Sequence, residues 1–259
     1  MYFNYLITNK ENFEIINNDI KTDVHFAIIM TTFRRSNNKS IEYLNRSLNS
    51  IINQEYKNWT LILVGDKYEP EDELLKIINN FKNKTSNEII YLNNQQVERE
   101  YIKNKYKLWM CAGGRSINIG LKYARENNFK YYCHLDDDDF WTSKHLLYLA
   151  QVYSKYPNCI FANTKSTYIN TYLPNNDMEI YENNRPPLSN NTVHSSYSFR
   201  LDILPFYYNT SLNENDIILP SDAQMLDNIK NFIENNKKYS SIYISKLTCY
   251  HDFEGETKL

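Results

Sequence analysis

Glycine is scarce in this sequence, with five glycines among 259 residues. Neither the GxGxxG motif of dinucleotide-binding folds nor the GxxxxGK(S/T) motif of P-loop proteins occurs. Both motifs need glycines at fixed spacing, so these two phosphate-binding loops are excluded. Where glycine is used so sparingly, we predict close backbone approach or tight turns. The positions concerned are Gly65, Gly113, Gly114, Gly120 and Gly255.

Paired cysteines, charge of one sign and long apolar runs are also lacking. The four cysteines have no CxxC spacing, so we predict buried, reduced thiols and neither a zinc site nor a disulfide framework. The formal net charge of −2 argues against a dedicated nucleic-acid binder. No apolar stretch approaches the roughly 18 residues of a membrane span, and the N-terminus lacks a secretory signal layout. We therefore predict a single-domain, soluble, cytoplasmic protein over residues 1–259; homo-oligomerisation is left open.

The most informative segment present is an acidic run, residues 136–139, in the sequence YYCHLDDDDFW. An apolar stretch, residues 129–135, enters the run, and Phe140 and Trp141 follow it. This pattern predicts a buried strand whose carboxyl end opens into a cleft. Adjacent carboxylates repel one another unless a cation lies among them, and oxygen ligands suit Mg²⁺ or Mn²⁺. An EF-hand is excluded, because its sixth position would be Trp141 instead of glycine.

Apolar runs and helical periodicities alternate through the first part of the chain. Strands are predicted at residues 24–30, 60–66, 88–92 and 159–163. Helices are predicted from Ser40, from about 70 to 81, within 113–128 and from about 143 to 156, with Ser40 and Ser116 as candidate caps. This alternation predicts an α/β fold with a parallel sheet and right-handed crossovers.

The last third of the chain is harder to interpret. Residues 164–191 are polar and contain proline, which favours an insertion or a mobile substrate loop. A helix is predicted at residues 222–233, and Asp222 at its start is either a first-turn acid or a functional group. His251 follows a β-like run, where a lone histidine is more often structural than a ligand.

Four segments in order resemble the GT-A glycosyltransferases, in particular the large inverting family 2 group: FAIIMTTFRR, SLNSIINQEYKNWTLILVGD, INIGLKYA and HLDDDDFW. The likeness runs from about residue 24 to 162 and continues more weakly from PSDAQML to YHDFEG. It implies a Rossmann-like, mostly parallel central sheet flanked by helices, with a smaller C-terminal acceptor-side region. The nucleotide-sugar half would span about 24–140 and the acceptor half about 141–259.

The sequence departs from the family pattern at three places. Gly65-Asp66-Lys67-Tyr68 stands where Asp-Asp-Gly-Ser is usual after the second strand. Ile117 stands where an arginine commonly precedes the helix asparagine. Ser221-Asp222 stands where a Glu-Asp pair is usual in the last third of the chain.

The resemblance implies a role for particular residues. The donor nucleotide is expected to contact Thr31, Thr32, Phe33, Arg35, Asp66, Gly114, Arg115, Asn118, Asp136 and Asp137. Asp66 would accept a hydrogen bond from a uracil-type base, so the expected donor is a UDP-sugar. The implied cofactor is Mn²⁺ or Mg²⁺, held by Asp138, Asp136 and His251. Asp139 would orient sugar hydroxyls or support the metal ligands, and Asp222 is the candidate catalytic base.

The expected chemistry is transfer of a sugar to a hydroxyl acceptor. A divalent ion stabilises the charge on a departing nucleoside diphosphate, and a carboxylate takes the acceptor proton. One base on the far face implies inversion; the acceptor, whether glycan, lipid-linked or protein, is not specified. A sugar-phosphate nucleotidyltransferase is an alternative, although TTFRR lacks the glycines of its usual loop. A second alternative is a non-catalytic homologue that binds a nucleotide sugar. Ser221, which stands in place of the usual glutamate, leaves this alternative open.

Overall fold

The computed structural model describes residues 22–36, 38–169, 171–174 and 189–252. Nine strands lie in these ranges: β1 (Phe26–Thr32), β2 (Trp59–Asp66), β3 (Ile89–Asn94), β4 (Tyr131–His134), β5 (Phe140–Trp141), β6 (Cys159–Tyr168), β7 (Thr171–Leu173), β8 (Tyr197–Arg200) and β9 (Ser240–Tyr250). Six α-helices accompany them: α1 (Ser40–Ile52), α2 (Glu71–Lys82), α3 (Lys105–Cys111), α4 (Gly114–Glu126), α5 (His145–Lys155) and α6 (Ser221–Asn235). No helix among the described residues is both long and apolar enough to cross a bilayer.

The strands form one sheet in the order β3-β2-β1-β4-β8-β6-β9-β5, with β7 paired to β6. The ladders between β1, β2, β3 and β4 are all parallel, and β6 pairs in parallel with β9. Strands β5, β7 and β8 are antiparallel to the strands with which they pair. The prediction of an α/β fold with a mostly parallel sheet flanked by helices is confirmed.

Side chains alternate between two apolar layers along β1, because successive residues of a strand point to opposite faces of the sheet. Phe26 and Ile28 pack in the layer that contains Leu44 of α1. Ala27 and Ile29 pack in the other layer, which contains Leu121 of α4. Helices therefore cover both faces of the sheet, and the strand ends are the places left for a cleft.

Glycine allows two close approaches that position α4. Gly113 has φ +75°, a left-handed conformation that lets α4 begin directly after α3. Gly120 faces β1, where a Cβ would lie 2.7 Å from Cγ2 of Ile29. The expectation of tight turns and close approach is confirmed at these two positions, whereas Gly255 lies outside the described residues. All four cysteines are free and buried, as predicted.

Several local predictions need correction. β6 continues to Tyr168 and pairs with β7, so residues 164–168 and 171–173 belong to the sheet, and residues 170 and 175–188 lie outside the description. Ser40 begins α1 without capping it, because its hydroxyl accepts a hydrogen bond from the backbone N–H of Arg35. Ser116 lies inside α4, where its hydroxyl donates to Asp66. The short helix α3 was not predicted, since its aromatic and lysine residues carry no clear helical period.

Candidate active site

The carboxyl ends of β1, β2 and β4 open at the same edge of the sheet, into a cavity of about 790 Å³. That volume lies within the usual range of roughly 300–1,000 Å³ for ligand pockets. Many of the predicted site residues line it: Thr31, Thr32, Phe33, Arg35, Asp66, Asp136, Asp137, Asp138, Asp222 and His251. The fold thus brings together groups that lie up to 220 residues apart in the chain, from Thr31 to His251.

Arg35 and Asp137 form the buried centre of this edge. The Arg35 guanidinium donates to Asp137 Oδ2 at 2.9 Å and to Oδ1 at 2.5 Å, and the Thr32 hydroxyl donates to Oδ2 at 2.6 Å. Burial alone would lower the pKa of Arg35, but Asp137 and Asp138 outweigh it and raise that pKa. Asp137 therefore joins the end of β1 to the acidic run, and its contact with a donor stays a prediction.

The backbone of the acidic run is held by α1. Ser47 donates to the carbonyl of Asp137 at 2.9 Å and also bonds the carbonyl of Asp139. Arg46 donates to the carbonyl of Asp138. The side chains of Asp137, Asp138 and Asp139 are buried. The run is thus an ordered turn within the protein and not a solvated acidic loop.

Within the acidic run, the charge of Asp138 is only partly compensated. Its Oδ2 lies 3.1 Å from Arg35, whose shorter contacts go to Asp137. Burial, together with the negative charges of Asp137 and Asp139, raises the pKa of Asp138 to about 8. A divalent cation would relieve this crowding, and the oxygen donors of Asp136 and Asp138 suit Mn²⁺ or Mg²⁺. The donor set therefore fits the implied metal.

Two histidines that the sequence analysis did not single out surround Asp136. Asp136 Oδ1 lies 2.8 Å from Nε2 of His134 and 3.9 Å from Nδ1 of His194. Burial would raise the pKa of Asp136, but His134, His194 and His251 outweigh it and hold the pKa below its usual range. Asp136 is consequently kept ionised at the mouth of β4.

His134, Asp136 and His194 place their ligand atoms within 4.8 Å of one another, which is close enough to share a metal ion. The two imidazole rings, however, are stacked with 3.8 Å between their centroids and 11° between their planes. The ring lone pairs then lie in parallel planes and do not converge on one ion between the rings. This geometry suits His134 better as a hydrogen-bond partner of Asp136, with His194 stacked on it, than it suits the two histidines as joint metal ligands. Burial lowers the pKa of His194 to about 3, so its ring is neutral near neutral pH.

His251 follows β9 and lines the cavity next to the acidic run. Its Nδ1 lies 2.9 Å from Asp139 Oδ1, which also accepts the backbone N–H of Asp252. A carboxylate on Nδ1 selects the tautomer with its lone pair on Nε2, an arrangement common behind metal-binding histidines. Asp139 is fully buried, so its placement favours support of the metal ligands over contact with sugar hydroxyls.

Asp66, at the end of β2, has partners on both carboxylate oxygens. Ser116 of α4 bonds Oδ1, and Arg99 bonds Oδ2 and the Asp66 carbonyl. Burial raises the pKa of Asp66, with the contacts to Ser116 and Arg99 opposing it. The Arg99 guanidinium lies 5.6 Å from the centre of the Phe33 ring. Arg99 and Ser116 were missed by the sequence analysis as partners of Asp66, because neither stands at a strand end.

Asp222 lies in the first turn of α6 and reaches the same cavity. Its Oδ1 accepts the backbone N–H of Ala223 at 2.8 Å. Burial raises the pKa of Asp222, the hydrogen bond from Ala223 opposes this, and the charge of Asp136 adds to the increase. A carboxylate with a raised pKa is better matched to accepting a proton near neutral pH than an ordinary surface aspartate.

Three predicted donor contacts lie outside the cavity lining. The backbone of Gly114 packs closely on Thr210, which a Cβ would approach to 2.7 Å. The Arg115 guanidinium donates to the carbonyl and side chain of Gln96. Asn118 exchanges two hydrogen bonds with the backbone of Tyr208, each 2.8 Å long. Their assignment to the donor site stays a prediction.

Glu98 is a buried acid in the cavity lining that the sequence analysis also missed. Its Oε1 accepts the backbone N–H of Arg115 at 2.9 Å, and its buried Oε2 has no hydrogen-bond partner among the described residues. Burial raises the pKa of Glu98 from its ordinary 4.5 to about 7. The folded state therefore binds this proton more tightly than the unfolded chain does.

Glu98→Gln should change how stability depends on pH. Because the pKa of Glu98 is higher in the folded state, the stabilising contribution of its protonated carboxyl is fully present below about pH 4.5. This contribution is lost as the pH rises through about 7. Glutamine does not titrate. Between about pH 4.5 and about pH 8, the free energy of unfolding of the variant should therefore fall by up to about 3 kcal/mol less than that of the wild type. Urea unfolding at both pH values measures the difference. Glu100→Gln, at an exposed neighbouring acid, is the control, and identical pH slopes for wild type and Glu98→Gln would contradict the assignment.

Comparison with known proteins identifies the class to which this fold and site belong. The model of glycosyl transferase family 2 matches residues 27–201. The uncharacterised glycosyltransferase R139 of Acanthamoeba polyphaga mimivirus is 45% identical over 250 residues, which cover 94% of this chain and 100% of that protein. The chain therefore belongs to glycosyltransferase family 2, and it is a glycosyltransferase. The nucleotidyltransferase alternative is not supported.

Solved structures of other glycosyltransferases share the fold. S. aureus TarS 1–349 in complex with UDP-GlcNAc is similar with a TM-score of 0.63 and 17% identity, over 90% of this chain and 60% of that one. The mannosyltransferase PcManGT from Pyrobaculum calidifontis, in complex with GDP-Man and Mn²⁺, is similar with a TM-score of 0.57 and 12% identity. The match covers 92% of this chain and 61% of that one. This chain thus spans about 60% of the length of these structures.

Proposed function

We propose that this protein is a metal-dependent, inverting glycosyltransferase that moves a sugar from a UDP-sugar to a hydroxyl acceptor. The observation that carries the proposal is the shared cavity, in which Asp66, Asp138 and Asp222 arrive from three separate elements. In this proposal Asp66 serves the base, Asp138 the diphosphate and Asp222 the acceptor. Related folds in complex with UDP-GlcNAc and GDP-Man support a nucleotide-sugar donor.

Asp66 is the residue proposed to recognise the base. Uracil presents an N3–H donor that a carboxylate can accept, whereas cytosine presents a lone pair at the same position. Ser116 and Arg99 hold the carboxylate in place, and Phe33 offers an aromatic edge nearby. This set of groups favours uracil over cytosine.

Asp136, Asp138 and His251 are proposed to hold Mn²⁺ or Mg²⁺. When bound, the ion would neutralise charge on the diphosphate and stabilise it as a leaving group. Asp139 would orient His251 through the 2.9 Å contact with Nδ1. His134 would keep Asp136 ionised, and the pair between Arg35 and Asp137 would hold the turn that presents Asp138.

Asp222 is proposed as the general base. It would take the proton of the acceptor hydroxyl as that oxygen bonds to the anomeric carbon and the bond to the diphosphate oxygen breaks. The alternative carboxylates are engaged elsewhere: Glu214 accepts the backbone N–H of Asn104, Asp216 the hydroxyl of Ser211, and Asp252 the guanidinium of Arg46. None of these three is among the residues that line the cavity.

A thermal-shift panel of nucleotide sugars with Mn²⁺ tests the donor class. A ligand present at about 100 times its dissociation constant adds roughly 2.7 kcal/mol to the free energy of unfolding. We expect UDP-sugars to raise the unfolding temperature and CDP-sugars to leave it unchanged. Sugar transfer from the UDP-sugar that binds best then tests catalysis. A protein that binds this donor and neither hydrolyses nor transfers it would be the non-catalytic homologue instead.

Asp66→Ala should weaken the binding of UDP and of the UDP-sugar equally, by about 1–3 kcal/mol. It removes the acceptor for the uracil N3–H and leaves a buried hydrogen-bonding partner of the carboxylate unpaired. Isothermal titration of both ligands measures the loss. Ser116→Ala is the matched control, because it removes one support of the carboxylate and leaves the carboxylate itself, so its effect should be smaller. Equal affinity of the wild type for UDP and CDP would count against the assignment.

A further inference from the structure

Helix α3 carries two exposed aromatic rings at the rim of the cavity. Tyr106 is 62% exposed and Trp109 is 50% exposed. They lie three residues apart, so they share one face of the helix, and their rings are stacked with 5.8 Å between the centroids and 22° between the planes. Trp109 also lines the cavity. Large exposed rings that continue into a pocket are typical of a ligand-contact surface.

The aromatic pair is rigidly attached to the segment that leads to Asp222. Glu214 Oε1 accepts the backbone N–H groups of Lys103 and Asn104 just before α3. The Lys107 ammonium donates to the carbonyl of Ile217, whose side chain packs in the same apolar cluster as Met110. From Ile217 the chain passes directly into α6. The aromatic pair and the proposed base therefore belong to one wall of the cavity.

We propose that the Tyr106–Trp109 pair binds a sugar ring of the acceptor, so that the acceptor is a carbohydrate. The face of an aromatic ring is electron-rich, and the C–H groups on one face of a sugar ring carry partial positive charge, so the two faces attract. A sugar stacked on Trp109 keeps its hydroxyls at the ring edge, where one can be directed into the cavity. This inference rests on the proposed role of Asp222 as the base.

The charges around the aromatic pair favour a carbohydrate over an anionic membrane surface. Lys107 is bonded to the Ile217 carbonyl, and the Lys103 ammonium donates to the carbonyl of Glu100 at 3.0 Å. The carboxylates of Glu100 and Glu214 lie in the same region. A surface that binds anionic lipid depends on a cluster of uncompensated basic side chains. Here two glutamates, Glu100 and Glu214, accompany the three lysines Lys103, Lys105 and Lys107.

Tryptophan fluorescence tests the subsite without relying on activity. The chain has three tryptophans, and Trp59 and Trp141 are only 2% and 3% exposed. Quenching by acrylamide therefore reports mainly on Trp109. Short gluco-, xylo-, manno- and chito-oligosaccharides are titrated with UDP and Mn²⁺ present, and neutral and anionic phospholipid vesicles form a second arm. We expect a saturable loss of quenching with at least one oligosaccharide. Protection by anionic vesicles, or by no oligosaccharide, would overturn the proposal.

Substitution of the ring separates stacking from a structural role. Trp109→Ala should lower kcat/KM for the protecting oligosaccharide about tenfold or more, chiefly through its KM, whereas Trp109→Phe should retain most of the activity. Tyr101→Ala removes an exposed aromatic residue that does not line the cavity and should leave transfer unchanged. Transfer at the wild-type rate and KM by Trp109→Ala would refute the subsite. Protection of Trp109 without any sugar transfer would support the subsite and refute the proposed function.

Discussion

Asp222→Asn should lower sugar transfer by about 10²–10⁴-fold, the usual contribution of a positioned acid or base. Asparagine accepts the backbone N–H of Ala223 as aspartate does, so the first turn of α6 should keep its hydrogen bond and its stability. UDP affinity should also be retained, because Asp66 and the acidic run are unchanged. Steady-state transfer, UDP titration and thermal unfolding of the same preparation measure the three quantities.

The pH dependence of transfer gives a second reading on Asp222. Burial raises its pKa above the ordinary aspartate value, so transfer should fall as pH drops through this raised pKa and the base becomes protonated. The remaining activity of Asp222→Asn should lack this acidic limb. Asp216→Asn, an acid of the preceding segment outside the cavity lining, is the control. Near-normal turnover by a well-folded Asp222→Asn enzyme would end the proposal.

Asp138→Ala should abolish metal-dependent binding of UDP and still yield a folded protein. The substitution removes a proposed metal ligand and, with it, a carboxylate whose pKa is raised to about 8 by burial and by repulsion from Asp137 and Asp139. The guanidinium of Arg35 keeps its two bonds to Asp137, so the turn should remain in place. Calorimetric titration of UDP with and without Mn²⁺ measures the effect.

Asp137→Ala is the matched comparison, because it changes the adjacent carboxylate with a different set of contacts. It removes both bonds between Asp137 and buried Arg35, which keeps only its longer contact with Asp138 among these acids, and it removes the acceptor of the Thr32 hydroxyl. Breaking a buried pair costs about 3–5 kcal/mol. We expect this variant to lose much of its stability, in contrast to Asp138→Ala. Metal-dependent UDP binding of wild-type strength in Asp138→Ala would disprove the ligand assignment.

Local sequence patterns were sufficient to predict the parts of the fold that depend on neighbours in the chain. The apolar runs of β1 and β2 and the helical period of α1 are local, and the structure contains all three close to the predicted positions. The acidic run was recognisable because its aromatic flanks predict burial. Boundaries were less certain where polar residues continue a strand, as in β6, whose second half pairs with β7 and β9.

Partners from distant segments could not be predicted in this way. Arg99 contacts Asp66 across 33 residues, Ser116 contacts it across 50, and His194 approaches Asp136 from a turn before β8. No local periodicity connects such residues. The sequence did not indicate a surface role for Trp109 either, because an aromatic residue is usually interpreted as part of the core until its exposure is known.

The sequence by itself determined the α/β class, the position of the acidic run and the family, because each follows from local patterning or from ordered motifs. The tertiary structure alone decided which neighbours each carboxylate of the acidic run meets. Asp136, Asp137, Asp138 and Asp139 are chemically identical in the sequence. In the folded protein they meet different neighbours. Asp136 lies beside two stacked histidines, and Asp137 pairs with a buried arginine. Asp138 lies between two repelling carboxylates, and Asp139 contacts His251. Burial and charge at each position, set by these neighbours up to 112 residues away in the chain, give four equal side chains four different properties.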